Sequence, residues 1–284
     1  MLSWQVGVVK VTRVVEMEIP IPPETPIFTQ ATPAALRAIP WLYPNFINAQ
    51  DEMLLSMHAL LVEAPGLRLV VDTCVGNDKP RAGMTGPNGL STNFLEKVTE
   101  AGWTRESVDV VICTHMHVDH VGWNTMLQDG KWVPTFPNAR YLFGKTEFAH
   151  WSAEGDAEQQ AILADSVQPV LDAGLAEFVD MDYRVSPEVY LVPTTGHTPG
   201  HVSVMIESAG ETAVITGDMT HHPCQLAHPD WSPSFDSDQA AAAVTRAKMF
   251  ADWADQPILV IGTHYAAPTA GHVKREGAGF RLYS

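Results

Sequence analysis

Three histidines and an aspartate stand within six residues in Thr114-His115-Met116-His117-Val118-Asp119-His120, directly after an apolar run over 108–113. Neutral imidazole and carboxylate are borderline-to-hard ligands that suit zinc, iron, manganese or cobalt. A tight turn at the carboxyl end of a strand can aim alternate side chains of such a run into one cavity. Further ligand types recur where apolar sequence gives way to Gly or Thr: His197 in TTGHTPGH, Asp218 in ITGDMT and His264 in IGTHY. The four segments are therefore candidates to meet at one edge of a sheet. A divalent ion held by such a set would drive a water toward hydroxide near neutral pH and polarise a substrate oxygen, with no need of a serine or cysteine nucleophile.

The elements that must place these residues are legible in outline. Val6 to Glu18 reads as a strand, and four prolines between 19 and 26 predict a loop after it. Residues 27–50 hold Phe28, Trp41, Leu42, Phe46 and Ile47 among prolines, too apolar for a free linker; together with the proline-rich run before them they form an N-terminal extension over 19–50, expected to cover a substrate pocket or a partner subunit. Two apolar runs around Pro65-Gly66 read as a hairpin, and 91–101 as a helix that leads into the strand 108–113. Beyond the histidine cluster, 139–144 reads as a strand, 145–151 and 157–173 as helices, and 189–192, 201–207 and 212–216 as strands. A last helix over 237–253, with Asp236 and Asp238 at its acidic start, precedes a buried strand over 257–262. Strands and helices alternate without an internal period, which predicts one α/β domain spanning 1–284 in which helices flank β-sheet.

Composition narrows the function. A chain of 284 residues with 45% hydrophobic residues can bury a sizeable core, and 17 basic against 33 acidic residues give a net charge of −16. That balance repels phosphate backbones and anionic lipid, which argues against nucleic acid or membrane as partner. No apolar run approaches the ~18 residues of a membrane span, and Lys10 and Arg13 interrupt the first apolar stretch, unlike a secretory leader. Three cysteines, Cys74, Cys113 and Cys224, are widely spaced with no CxxC, as expected of a reducing compartment. These features together predict a soluble, cytoplasmic protein.

The ordered set HxHxDH, GHTPGH, GD and a late TH after an apolar strand resembles the metallo-β-lactamase superfamily of dinuclear metallohydrolases. The resemblance covers roughly 53–264 and implies an αββα sandwich of two mixed sheets flanked by helices. It implies two divalent metal ions per chain, zinc first and iron, manganese or cobalt as alternatives. His115, His117 and His197 match the ligands of the first metal, Asp119, His120 and His264 those of the second, and Asp218 the bridging carboxylate. Asp72 matches an aspartate that hydrogen-bonds behind the histidine loop. His117 stands where the diiron oxygenase-like branch has glutamate, which favours hydrolysis by a bridging hydroxide.

Among the branches, only about 45 residues separate Asp218 from His264, too few for the helical substrate region of the glyoxalase-type thioesterases. The stretch resembles methyl parathion hydrolase-like and acyl-homoserine-lactone lactonase-like members. The resemblance thus implies hydrolysis of small apolar esters, lactones first and organophosphate or aryl esters second, with thioesters and β-lactams behind them. A silent metal-binding member of the fold is the non-enzymatic alternative. Asp119 and His221 are the catalytic candidates, His221 because relatives place a polar or phenolic group over the substrate three residues after the bridging aspartate. A homodimer is the expected assembly. His201 is expected to make a structural hydrogen bond, and His222 and His228 to face solvent or the pocket rim.

Overall fold

The computed structural model describes residues 1–81 and 88–284. Along the chain run β1 (Ser3–Val6), β2 (Val9–Ile21), α1 (Pro33–Arg37), β3 (Met53–Ala64), β4 (Leu67–Val71), α2 (Phe94–Glu100), β5 (Val110–Ile112) and α3 (Val118–Val121). There follow β6 (Thr125–Gln128), β7 (Lys131–Pro134), β8 (Arg140–Gly144), α4 (Lys145–Glu154), α5 (Ala157–Ser166), α6 (Gln168–Asp172) and β9 (Ala176–Val179). The last part holds β10 (Val189–Pro193), β11 (Val202–Ser208), β12 (Glu211–Ile215), α7 (Cys224–Ala227), α8 (Gln239–Trp253), β13 (Ile258–Ile261), β14 (Ala270–Glu276) and β15 (Gly279–Tyr283). The fold class is mixed α/β, as the sequence predicts. No helix among the described residues is long and apolar enough to cross a membrane.

The chain forms two compact units, one from 1–17 and 57–183, the other from 18–56 and 184–284. The first is built on a mixed sheet in the order β1-β2-β3-β4-β5-β8-β9, with a small β6–β7 hairpin beside it. Its strands β4, β5, β8 and β9 are mutually parallel, with Val71 opposite Ile112 and Ile112 opposite Leu142. Loops that follow parallel strands gather at their carboxyl ends, the usual place for a site in such sheets. Here those loops carry Asp72 and the histidine cluster. Phe94, Val98, Trp103, Val111, Trp123 and Phe143 are among the residues of this unit's own core.

The second unit is built on a mixed sheet in the order β10-β11-β12-β13-β14-β15. Strands β12 and β13 run parallel with Ile215 opposite Ile261, so Asp218 and His264 leave the sheet at the same end. The β10–β11 connection, antiparallel to β12 through β11, brings His197 to that end too. A bridge between Leu55 and Tyr265 and a hydrogen bond from Ser56 N to His264 O (3.0 Å) tie the start of β3 to the His264 loop.

Several boundaries differ from the sequence reading. Strand β2 continues through Pro20 to Ile21, because β1 pairs only as far as Thr12 and asks no N–H of Pro20. The helix expected over 157–173 breaks at Val167, where Pro169 cannot supply a backbone donor. The β6–β7 hairpin turns on Asp129-Gly130, both at positive φ, and β14–β15 turns after Glu276 at Gly277.

The segment 27–50, expected to cover a pocket or a partner subunit, packs most of its apolar side chains into its own unit. Phe28, Leu42, Phe46 and Ile47 are buried in the core of the second unit, together with Phe250, Trp253 and Tyr265, and Trp41 packs against it half-buried. His222 is likewise fully buried rather than at a rim: its Nε2–H donates to Phe46 O at 2.8 Å and its Nδ1 accepts Cys224 N–H at 3.2 Å.

That pair of bonds fits only the neutral ring, and burial pushes the His222 imidazole down to about 4 from its ordinary 6.5, against the raising effect of the Phe46 carbonyl. Because the unfolded chain binds this proton more readily, stability present above the ordinary value is lost as pH falls from about 6.5 toward 4. We expect about 2 kcal/mol to be lost between pH 7 and pH 5 from this group. His222→Gln keeps a donor for Phe46 O and cannot titrate, so its urea midpoint should fall less over that interval. An equal fall in both proteins would show that His222 contributes nothing to it.

Candidate metal centre

In the first unit, β5 ends at Ile112 and the chain turns through Thr114 and His115 to His117, which begins the single-turn helix α3 carrying Asp119 and His120. Asp72, just past β4 and at a φ of 56°, accepts Thr114 N–H (2.8 Å) and Thr114 Oγ1–H (2.9 Å). Its Oδ2 also lies 2.9 Å from His120 Nδ1. Since Thr114 has given its hydrogen to Asp72, its oxygen can only accept from His115 Nδ1, 3.1 Å away. Both rings are thereby fixed as Nδ1–H tautomers with Nε2 bearing a lone pair. His115 Nε2 faces His117 Nδ1 at 3.1 Å, and His120 Nε2 faces Asp119 Oδ1 at 3.5 Å.

The loop is braced from several sides. Glu147 of α4 accepts Met116 N–H and Trp151 Nε1–H, while Gln159 of α5 donates to Met116 O, so the peptide between His115 and His117 is held at both ends. The buried Glu16 carboxylate accepts from Val75 N, Gly76 N and Trp123 Nε1. A Cβ on Gly122 would stand 1.9 Å from Val75 O, so only glycine allows these two loops to touch.

In the second unit, Asp218 follows Gly217, whose φ of 53° makes the sharp turn after β12. Its carboxylate is ringed by three imidazoles: His264 Nε2 at 3.0 Å, His221 Nε2 at 3.2 Å and His197 Nε2 at 3.5 Å. The outer nitrogen of His197 is occupied by Asp236 Oδ1 (2.8 Å) and that of His264 by Ser56 O (3.2 Å), both pure acceptors. These rings, too, carry Nδ1–H and turn a lone pair toward a carboxylate. His201 is structural, as expected, since its Nε2 accepts Asp218 N–H at 2.8 Å.

An acceptor facing an acceptor inside a protein is repulsive unless a proton or a cation lies between them. His120 against Asp119, and His197 and His264 against Asp218, share that character, and imidazole with carboxylate is the donor set of zinc and its neighbours. The residues present therefore fit divalent ions. Acceptors on the outer nitrogens are the arrangement that orients ligating histidines.

The structure gathers every metal-ligand candidate of the sequence into one or other of these two clusters, and Asp72 lies where its role requires. His221, 3% exposed, stacks parallel to His264 at 5.9 Å, and neither of its ring nitrogens has a hydrogen-bond partner. Phe28 touches the His221 ring edge-on at 6.5 Å, whereas Leu42, Phe46 and Ile47 lie in the core. The sequence reading missed Phe235, which is 46% exposed and edge-on to both His197 and His221. It also read Asp236 as part of a helix start. Asp238 is the residue that caps α8, while Asp236 turns inward to His197, and burial raises its carboxyl against the charges of His221 and Arg246. Burial pushes the Cys113 and Cys224 thiols up, far from the thiolate a ligand or nucleophile needs.

A family model described as the Metallo-beta-lactamase superfamily matches residues 55–264. An N-acyl homoserine lactonase of Bacillus sp is 28% identical over 171 residues, 60% of each chain, so the match spans about 60% of the length of the curated relatives. Among solved structures, AidC, a dizinc quorum-quenching lactonase in complex with a product, superposes with a TM-score of 0.80 at 23% identity over 99% of this chain and 96% of that one. The hydrolase AbOPH, in the beta lactamase superfamily, gives 0.80 at 23% over 99% and 95%.

Bound divalent ions should stabilise the fold. At a hundredfold excess over its dissociation constant a ligand contributes about 2.7 kcal/mol, so adding zinc to chelator-treated protein should raise the urea midpoint. Asp218→Ala should abolish the rise and lower bound metal, measured by plasma emission. Full metal retention by that variant would refute the role of Asp218.

Proposed function

We propose that this chain, which belongs to the metallo-β-lactamase superfamily, is a dinuclear metal-dependent hydrolase that opens the ring of N-acyl homoserine lactones. The observation that carries the reading is the lone pairs of oriented imidazoles turned toward carboxylates in both units, a donor arrangement that asks for cations. By the family's ligand pattern, His115, His117 and His197 would hold one ion and Asp119, His120 and His264 the other, with Asp218 serving as a ligand as well. Two divalent ions, which we read as zinc, supply Lewis acidity to acidify the attacking water and polarise the ester carbonyl.

Hydrolysis adds water across the lactone carbonyl, breaks the ring C–O bond and leaves a carboxylate, a hydroxyl and a proton. Asp119, half-buried in the histidine loop, takes the proton from the water and returns it to the departing alkoxide. His221 donates to the oxygen on which negative charge gathers; its buried ring with no hydrogen-bond partner supports that role. Phe235, exposed beside His197 and His221, gives the acyl chain an apolar surface, with Phe28 behind the His221 ring. The three free, buried cysteines are in keeping with a cytoplasmic enzyme.

The test is a screen of metal-loaded protein against homoserine lactones, aryl esters, phosphotriesters, thioesters and a β-lactam. We expect lactones to give the highest kcat/KM; a clear preference for phosphotriesters or aryl esters would replace this reading with that of the sister branch. His221→Ala should lower kcat on the best substrate by around 10²-fold, the equivalent of about 2.7 kcal/mol for one well-placed donor, and leave metal content unchanged. Activity should rise with pH through an ionisation near neutrality, and its midpoint should move when cobalt replaces zinc. A fixed midpoint would assign the ionisation to a side chain instead.

A further inference from the structure

The loop that carries His197 is seated on the N-terminal part of α8. Gly196 has a φ of 127°, and a Cβ there would stand 2.3 Å from Ala242 N, so the close approach requires glycine. Asp238 N donates to Gly196 O (2.9 Å), Ser237 N to His197 O (2.8 Å), and Thr245 Oγ1 to Thr195 O (2.7 Å). These bonds fix the loop's backbone. They leave the rotation and tautomer of the His197 ring to its side-chain partner, Asp236, which meets Nδ1 at 2.8 Å and has a side chain wholly shielded from solvent.

A carboxylate so buried needs a compensating charge, and Arg246, one turn further along α8 than Ala242, is placed to give it. Its Nη2 lies 3.4 Å from Asp236 Oδ2 and 3.4 Å from Ser232 Oγ, and its side chain is also fully buried. Arg246 Nε and Nη1 have no hydrogen-bond partner. A guanidinium that buries donors unmet is a poor choice for packing alone; an apolar side chain of its size would ordinarily serve stability as well or better. What Arg246 does that a methionine could not is to balance the charge of Asp236.

We infer that Arg246 is a positioning residue for the metal-ligating imidazole of His197: by anchoring Asp236 it holds the Nδ1–H tautomer and turns Nε2 toward Asp218. The inference rests on His197 being a metal ligand, the reading given above. It assigns to a helix remote from the histidine motif the task of presenting one ligand.

The experiment reads the His197 ring directly. In metal-free protein with ¹⁵N-labelled histidine, the wild-type His197 should show a protonated Nδ1 and an unprotonated Nε2. Arg246→Met should populate the Nε2–H form and weaken zinc binding, by chelator competition, on the order of 10–100-fold. Arg246→Lys restores the charge and should recover part of both. Asp236→Asn, which can turn its amide N–H toward Nδ1, should give the Nε2–H form outright and serves if Arg246→Met does not fold. A lowered urea midpoint in Arg246→Met with the wild-type tautomer and zinc affinity would overturn the inference and leave Arg246 a packing residue. Wild-type protein that binds no zinc would instead overturn the metal-centre reading itself.

Discussion

The rest of the structure answers to one constraint: imidazole lone pairs must be held against carboxylates before any cation is present to reward the contact. A free histidine would rotate, swap tautomer or take a proton. Here each choice is closed by a partner on the outer nitrogen: Asp72 for His120, the Thr114 hydroxyl for His115, Asp236 for His197 and the Ser56 carbonyl for His264. The partners need bracing in turn, which is why Asp72 is saturated by Thr114 and why Asp236 is matched by Arg246. Preorganisation of this kind costs stability in the metal-free chain, a cost that a bound cation would offset. It explains a density of buried polar groups that packing alone would not select.

How much of this is legible in the sequence depends on whether a residue's role is local. The candidate ligands were legible because each follows an apolar strand, and the carboxyl ends of parallel strands β4 and β5, or β12 and β13, gather such positions without further information. Asp72 was legible for the same reason. Asp236 and Arg246 were not, because Asp236 meets His197 across 39 positions and Arg246 meets Asp236 across 10, and neither spacing follows a period. Phe235 was hidden by its neighbours: in PSFDSD nothing distinguishes an aromatic left exposed beside two histidines from one that is buried. The β6–β7 hairpin did announce itself through Asp129-Gly130, a turn signal outweighed by the short, irregular strands around it.

In the segment 27–50 composition was legible and its partners were not. Its aromatic and aliphatic content does predict burial, and it is buried, but within the second unit's own core. The deciding contact was unreadable: His222, from the loop after Asp218, bonds to Phe46 O across 176 positions, and Phe46 meets the rings of His222 and Tyr265. Tyr265 follows His264, and its hydroxyl lies 3.0 Å from Thr220 Oγ1. The N-terminal segment is therefore fastened to both loops that carry Asp218 and His264, and works on the candidate site by fixing their course.

His197 and His201 mark the limit of motif reading most sharply. They sit four apart in one HTPGH run, with rings 5.8 Å from each other and both within reach of Asp218. The difference lies in what meets Nε2. Asp218 presents its backbone N–H to His201, consuming the lone pair, so that Nδ1–H turns to Thr194, whose hydroxyl and carbonyl oxygens lie 2.9 and 3.0 Å away, and the ring becomes a strut beneath the turn. To His197 the same residue presents its carboxylate. A candidate ligand and a strut thus differ by which atom of a single aspartate faces them, at the turn that Gly217 makes.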